Sequence, residues 1–303
     1  MVKIKKNSEA VESAVLFKRT KGAKVLFIFM FVVFGLYTLS LFLPLVWVVI
    51  NSFKDSMEFE LAVMGSAFEL PEQWLWSNYI RCINELTVND TTYLGMLWNS
   101  IWYVAVGVSI AVFSQVSVAY ALTKYDQFWI SRIMADLVIV FITFPVLGKT
   151  GAAYEFIYRI GLGDNPLYVI VFSMAGFTGN YLVFSSSWRG VSNTYAEAAR
   201  MDGAGNYQLY FKIMLPMLKG PIVAISVLGC IGTWNSYTDI LMYLPSYPTL
   251  STGLFKFQST TTRMLNTPVY FAGVLLSMLP TLVIFCIFSE TIMTSVTQGG
   301  LKG

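Results

Sequence analysis

Residues 25–50 contain no charged side chain, and this stretch constrains the chain more than any other. A bilayer's hydrocarbon core is about 30 Å thick and takes about 20 consecutive apolar residues as a helix. Five further runs follow, at residues 94–121, 133–151, 167–187, 221–244 and 269–293. Asp136 interrupts the third, the fifth carries Trp234, Asn235 and Asp239, and Pro44 and Pro280 fall in the first and last. Only 12% of residues are charged, against roughly a quarter in soluble domains. With a mean hydropathy of +0.62, the apolar residues exceed what an interior can absorb, so lipid must cover much of the surface. The expected fold class is an all-α integral membrane protein with six transmembrane helices.

Charge distribution sets the orientation. The tail, residues 1–24, holds Lys3, Lys5, Lys6, Lys18, Arg19, Lys21 and Lys24 against only Glu9 and Glu12, which places it in the cytoplasm. Residues 11–17 are expected to form a short amphipathic helix on the membrane surface. The first apolar run is too long for a cleaved signal sequence. Six crossings then put both termini inside, with fourteen Lys and Arg on the inner side and six on the outer. Lys256 and Arg263, outside and without acids, are the one contrary note. The expected organisation is a basic cytoplasmic tail (1–24), a six-helix transmembrane domain (25–293) with an outer loop (51–93) and an inner loop (188–220), and a cytoplasmic tail (294–303).

Several chemistries drop out. There is no histidine, so no His-based triad, His general base or His metal ligand is available. Cys82, Cys230 and Cys286 are odd in number and widely spaced, giving neither a disulfide framework nor a zinc ribbon; no metal site is expected. Gly148, Lys149 and Thr150 imitate the end of a phosphate-binding loop, but Thr143 stands where its first glycine is needed. Asn89 opens a glycosylation acceptor sequon by pattern only.

The outer loop is acidic, with Asp55, Glu58, Glu60, Glu69, Glu72, Glu85 and Asp90, and carries Trp74, Trp76 and Tyr79. Those rings suit either the membrane interface or a surface for an external partner. On the inner loop, Ser192, Asn193 or Thr194 can cap a helix, and Thr194 with Glu197 has capping-box spacing. Helix formers run over residues 195–201, Gly203 supplies a left-handed stop, and a second helix runs from Asn206 to Pro216. So short a helix needs a surface to pack on: the bundle itself, or another protein that approaches over Ala198, Ala199, Gly203, Ala204 and Gly205 between the charges of Glu197, Arg200 and Asp202.

Glu197-Ala-Ala-Arg-Met-Asp-Gly-Ala204 with Lys212-Ile-Met-Leu-Pro216 closely resembles the EAA loop of permease subunits of binding-protein-dependent ABC importers. Gly232-Thr-Trp-Asn235, Asn78-Tyr79, Pro145 and the ending Gly300-Leu-Lys-Gly303 are similar to features of the carbohydrate-importer branch, in a maltose-type, MalG-like pattern. The resemblance implies a coupling helix seated on a separate cytoplasmic ATPase: Glu197 contacts it, Ala198 and Ala199 permit close approach, Asp202 stabilises the loop and Gly203 makes the turn, with Ala204, Leu215 and Pro216 completing the motif. It further implies a homologous permease partner in a heterodimer, two ATPase subunits that hold ATP and magnesium, an extracytoplasmic solute-binding protein, a bacterial inner-membrane location and alternating access. On this reading the chain is not an enzyme, holds no cofactor and takes no nucleic acid.

Polar groups inside a membrane are expensive and face the bundle interior or a wet cavity. Trp234, Asn235, Tyr237 and Asp239 offer an aromatic face beside amide and carboxylate groups, which suits a sugar; Trp234 and Asn235 serve equally as contacts between helices. Gln115 and Asp136 are the other polar groups in spans. Related permeases often carry an acidic residue in place of Ser236 and an aromatic near Asp239. The alternatives are an importer for a sugar phosphate or glycerophosphodiester, and a stand-alone secondary transporter with Asp136 and Asp239 as ion carriers.

Overall fold

A computed structural model describes residues 21–64, 68–144, 149–174, 178–260 and 267–300. The expected surface helix at 11–17 and its flanking basic residues, Pro145, Gly148, Arg263 and residues 301–303 lie outside them. The described residues are helical apart from connections and one isolated bridge, Val88 to Thr91.

Three helices are long and apolar enough to cross a membrane unaided: α1 (Lys21–Ser52), α4 (Tyr93–Lys124) and α14 (Thr267–Gly300), the last over Thr267–Glu290. The long uncharged face of α1 stays exposed from Val25 to Leu43. The C-terminal end of α1 is tied down where Trp47 meets Phe271 of α14 edge-on at 5.2 Å. Between α1 and α4, the outer loop folds into α2 (Ser56–Met64) and α3 (Ser77–Glu85). Asn78, buried, donates to the carbonyls of Ser52 and Lys54, each at 2.9 Å, satisfying acceptors left over at the end of α1. Phe53 packs among Trp74, Trp76 and Tyr79 at 4.7–5.2 Å, leaving outer faces of Trp74 and Trp76 exposed.

Helix α4 is the axis of the bundle. Met96, Ser100, Val104, Gly107, Val108, Val112, Val116 and Ala119 are buried at the three- and four-residue spacing of one helix face, packed against α8 (Asn180–Gly190), α11 (Lys219–Asn235), α7 (Leu167–Ser173) and α13 (Leu250–Thr260). Thr92 caps it, its hydroxyl accepting from the Gly95 amide at 3.4 Å.

The other three expected spans are broken. The third begins as α5 (Trp129–Thr143), about 22 Å long at 1.5 Å per residue, with Asp136 exposed; α6 (Lys149–Arg159) follows. The fourth is divided into α7 and α8, with Gly179 directly ahead of α8, a residue type that weakens a helix by about 1 kcal/mol. The fifth, α11, stops at Asn235, turns through extended Ser236 and resumes as α12 (Thr238–Tyr243).

At the end of the bundle where α4 begins, Asp164, with φ of 56°, receives the amide and hydroxyl of Ser246 at 2.9 and 2.6 Å, and its own amide donates to the Tyr243 carbonyl at 2.8 Å. Asn89 and Asn99 donate to the carbonyls of Pro245 and Pro248, each at 3.0 Å. A Cβ at Gly273 of α14 would lie 2.8 Å from both Cys82 Sγ and Leu254 Cδ2, so glycine there sets how closely α14 approaches α3 and α13.

Candidate coupling loop and membrane cavity

The inner loop forms α9 (Thr194–Met201) and α10 (Asn206–Met217). Thr194 is inside α9 rather than its cap: the Ser192 hydroxyl accepts from the Thr194 amide at 3.3 Å, and the expected Thr194–Glu197 capping box does not form. The stop is as expected. Gly203 has φ of +81°, the Ala204 amide donates to Ala199 O at 2.9 Å and the Gly203 amide to Arg200 O at 3.0 Å. That pair of bonds is a Schellman motif, which needs a left-handed residue at its centre.

Glu197, Ala198, Asp202, Gly203 and Pro216 are exposed, Ala204 and Leu215 half-buried, and Ala199 is buried. Of the two alanines, therefore, Ala198 faces outward while Ala199 packs into the bundle. Met201 and Tyr207, exposed at 83% and 82%, border the small-residue surface. Sequence reasoning passed over both, although large apolar side chains at solvent positions of a polar loop are the signal that finds them. Helix α10 contains a π-helical stretch, Leu209–Met214, and meets α11 at a 73° bend.

The four pathway residues sit at the α11–α12 break, in different settings. Trp234 is buried, and its Nε1 donates to Ser277 O of α14 at 3.0 Å, which makes it a contact between helices. Asn235 is exposed and donates to Ile231 O within its own helix at 2.8 Å. Tyr237 stacks on Phe255 at 4.5 Å, and exposed Asp239 accepts from Ser236 at 3.5 Å.

None of the four lines the cavity of about 240 Å³ enclosed by α4, α11 and the two halves of the fourth span. Its polar lining is Tyr103, Gln115, Ser173, Asn180 and Thr233. Gln115 is 5% exposed and accepts from Asn180 Nδ2 at 3.2 Å. Gly107 and Gly229 supply wall without bulk. Sequence reading singled out Gln115 but not Asn180, whose place beside Gly179 in an apolar run was the available clue. The arrangement can hold a hydroxylated ligand by hydrogen bonds and carries no acid–base pair.

Residues 116–290, more than half of the chain, match the family described as binding-protein-dependent transport system inner membrane component. The chain belongs to this family. It is thus a membrane-embedded transport permease rather than a catalytic subunit. Among similar proteins, the diacetylchitobiose uptake system permease protein NgcG of Streptomyces coelicolor is 24% identical, covering 88% of this chain and 86% of its own. The arabinooligosaccharides transport system permease protein AraQ of Halalkalibacterium halodurans is 25% identical over 86% and 91%. A crystal structure of a bacterial ABC transporter involved in import of the acidic polysaccharide alginate has the same fold, with a TM-score of 0.73 and 22% identity over 89% of this chain and 98% of that one.

Proposed function

We propose that this permease is one half of the membrane channel of an ATP-driven importer for a sugar or oligosaccharide, and that α9 is the helix through which an ATPase drives it. The observation that carries the coupling role is the exposed, small-residue surface at Ala198, Asp202 and Gly203, bordered by Glu197, Met201 and Tyr207 and held in shape by the Schellman stop. The sugar reading draws on what NgcG and AraQ are named for transporting, and on a cavity whose lining is hydroxyl and amide. At about 240 Å³ it falls below the ~300–1,000 Å³ of pockets that enclose drug-sized ligands. It suits one ring of a chain passing through rather than a whole oligosaccharide.

On this reading the broken third, fourth and fifth helices each complete a crossing, giving six in all, with both termini in the cytoplasm of a bacterial inner membrane. A homologous permease completes the channel as a heterodimer, two ATPases supply ATP and magnesium on the inner side, and a solute-binding protein delivers substrate outside. Trp234 braces the wall, while Asn235, Tyr237 and Asp239 stand at the mouth of the path. The stand-alone carrier loses its ground once the family is known.

The test is purification of a tagged chain with the products of neighbouring genes, followed by uptake into proteoliposomes. ATPase should co-purify, and uptake should require both ATP and the solute-binding protein. Uptake by the chain alone, driven by a pH gradient, refutes the proposal. Binding of a panel of oligosaccharides, sugar phosphates and glycerophosphodiesters to the solute-binding protein decides the substrate class.

A further inference from the structure

Helix α4 forms one wall of the cavity with its middle and carries the whole inner loop on its inner end. Lys124, its last residue, donates from Nζ to Val191 O, at the end of α8, and, at 2.8 Å, to Oδ1 of Asn193, the residue before α9. Trp188, fully buried, donates from Nε1 to Val116 O at 3.0 Å. Tyr120 fits between the two arms of the loop, 5.0 Å from the ring of Trp188 and 4.8 Å from that of Tyr210. The Tyr210 hydroxyl pairs with Ser117 Oγ at 2.7 Å.

Tyr210 lies in the π-helical stretch of α10, and there two adjacent aromatic rings meet the same helix: Tyr210 on Tyr120, and Phe211 stacked on Phe113 at 6.1 Å. Single π-turns of this kind mark functional positions in helices. Nine residues above Lys124, about 13 Å at 1.5 Å per residue, Gln115 faces the cavity.

We propose that α4 is the rod that carries movement of the inner loop to the cavity, with Lys124 and Tyr210 as the positioning residues that clamp the loop to it. The proposal rests on the coupling role of α9. Lys124 fixes the first arm and Tyr210 the second, so a displacement of α9 and α10 moves α4 along with them, and the wall bearing Gln115 shifts against Asn180.

The test uses the complete reconstituted transporter, with its three native cysteines replaced by alanine and a reporter, Ala111→Cys, on the α4 wall of the cavity. N-ethylmaleimide labelling is compared before and after trapping with ATP and vanadate. With Lys124 and Tyr210 intact, trapping should change the labelling rate about tenfold, within the range of coupling between distant sites. Lys124→Met should keep the ATPase bound and hydrolysing ATP yet abolish that change. Lys124→Arg, which can donate to both oxygens, should restore it. Tyr210→Phe, which keeps the ring and loses only the bond to Ser117, should give a partial response. Glu197→Lys separates the two ideas. If it is impaired while Lys124→Met responds fully, the clamp is overturned alone; if it responds fully itself, the coupling role of α9 falls.

Discussion

Gly203 allows a graded test, because the structure separates torsion from sterics at that residue. Its φ is +81°, and a Cβ built there meets nothing within 4 Å. Any cost of adding a side chain is therefore backbone strain alone. Alanine in the left-handed region loses roughly 1–2 kcal/mol, which lowers the population of the formed loop about 5- to 30-fold if nothing compensates. Asparagine visits that region more readily and should cost less. Proline fixes φ near −65° and removes the amide that donates to Arg200 O, so neither the turn nor its bond can form. Uptake measured in cells should fall in the order Gly203, Gly203→Asn, Gly203→Ala, Gly203→Pro, the last near zero, while immunoblots show all four proteins in the membrane. Normal uptake by Gly203→Pro would falsify the role given to the Schellman stop. A flat series from glycine to alanine would show that the left-handed torsion does not matter.

Packing and charge lead to three other expected outcomes. Lys54 is fully buried, and its Nζ has no hydrogen-bond partner among the described residues; Lys54→Met, which keeps the stem and removes an unpaired polar group, should stabilise by about 1–3 kcal/mol, and a lower melting temperature in detergent would mean that the amine has a partner in the assembled transporter. Gly273→Ala places a Cβ 2.8 Å from Cys82 Sγ and should cost about 1–3 kcal/mol by overpacking, read as a lower melting temperature that Cys82→Ala partly restores. Burial first, then the charge of Glu85, pushes the Cys82 thiol from 9.0 up to about 12. The native state therefore holds that proton more tightly than the unfolded chain: the stabilisation is complete below pH 9 and is lost as pH climbs toward 12. In native protein at pH 8, Cys82 should resist iodoacetamide until denaturant is added; prompt labelling would contradict its burial.

The membrane class and the stop at Gly203 were legible in the sequence because each depends on local information: an uncharged run, a glycine after helix formers. What sequence could not reveal was how the apolar runs would be interrupted. Residues 167–187 read as one helix, but Gly179 falls where it divides, and hydropathy averages over it. The lining of the cavity escaped sequence reading for a related reason. Trp234 and Asn235 were conspicuous as polar residues in an apolar run, yet one turns to Ser277 and the other to its own helix. The cavity is made by residues far apart in the chain, Gln115, Asn180 and Thr233, whose meeting depends on packing. Inward-facing Ala199 and outward-facing Ala198 are likewise indistinguishable until the helix is docked.

The bonds around Asp164 bear on how such a channel opens. They join the loop entering α7 to the segment leaving α12, while Asn99 ties that same segment to α4. Three helices, of which α4 and α7 line the cavity, thus share one fastening. These ends cannot fan apart like petals without breaking it, so α4, α7 and α12 have to swing there as a single leaf.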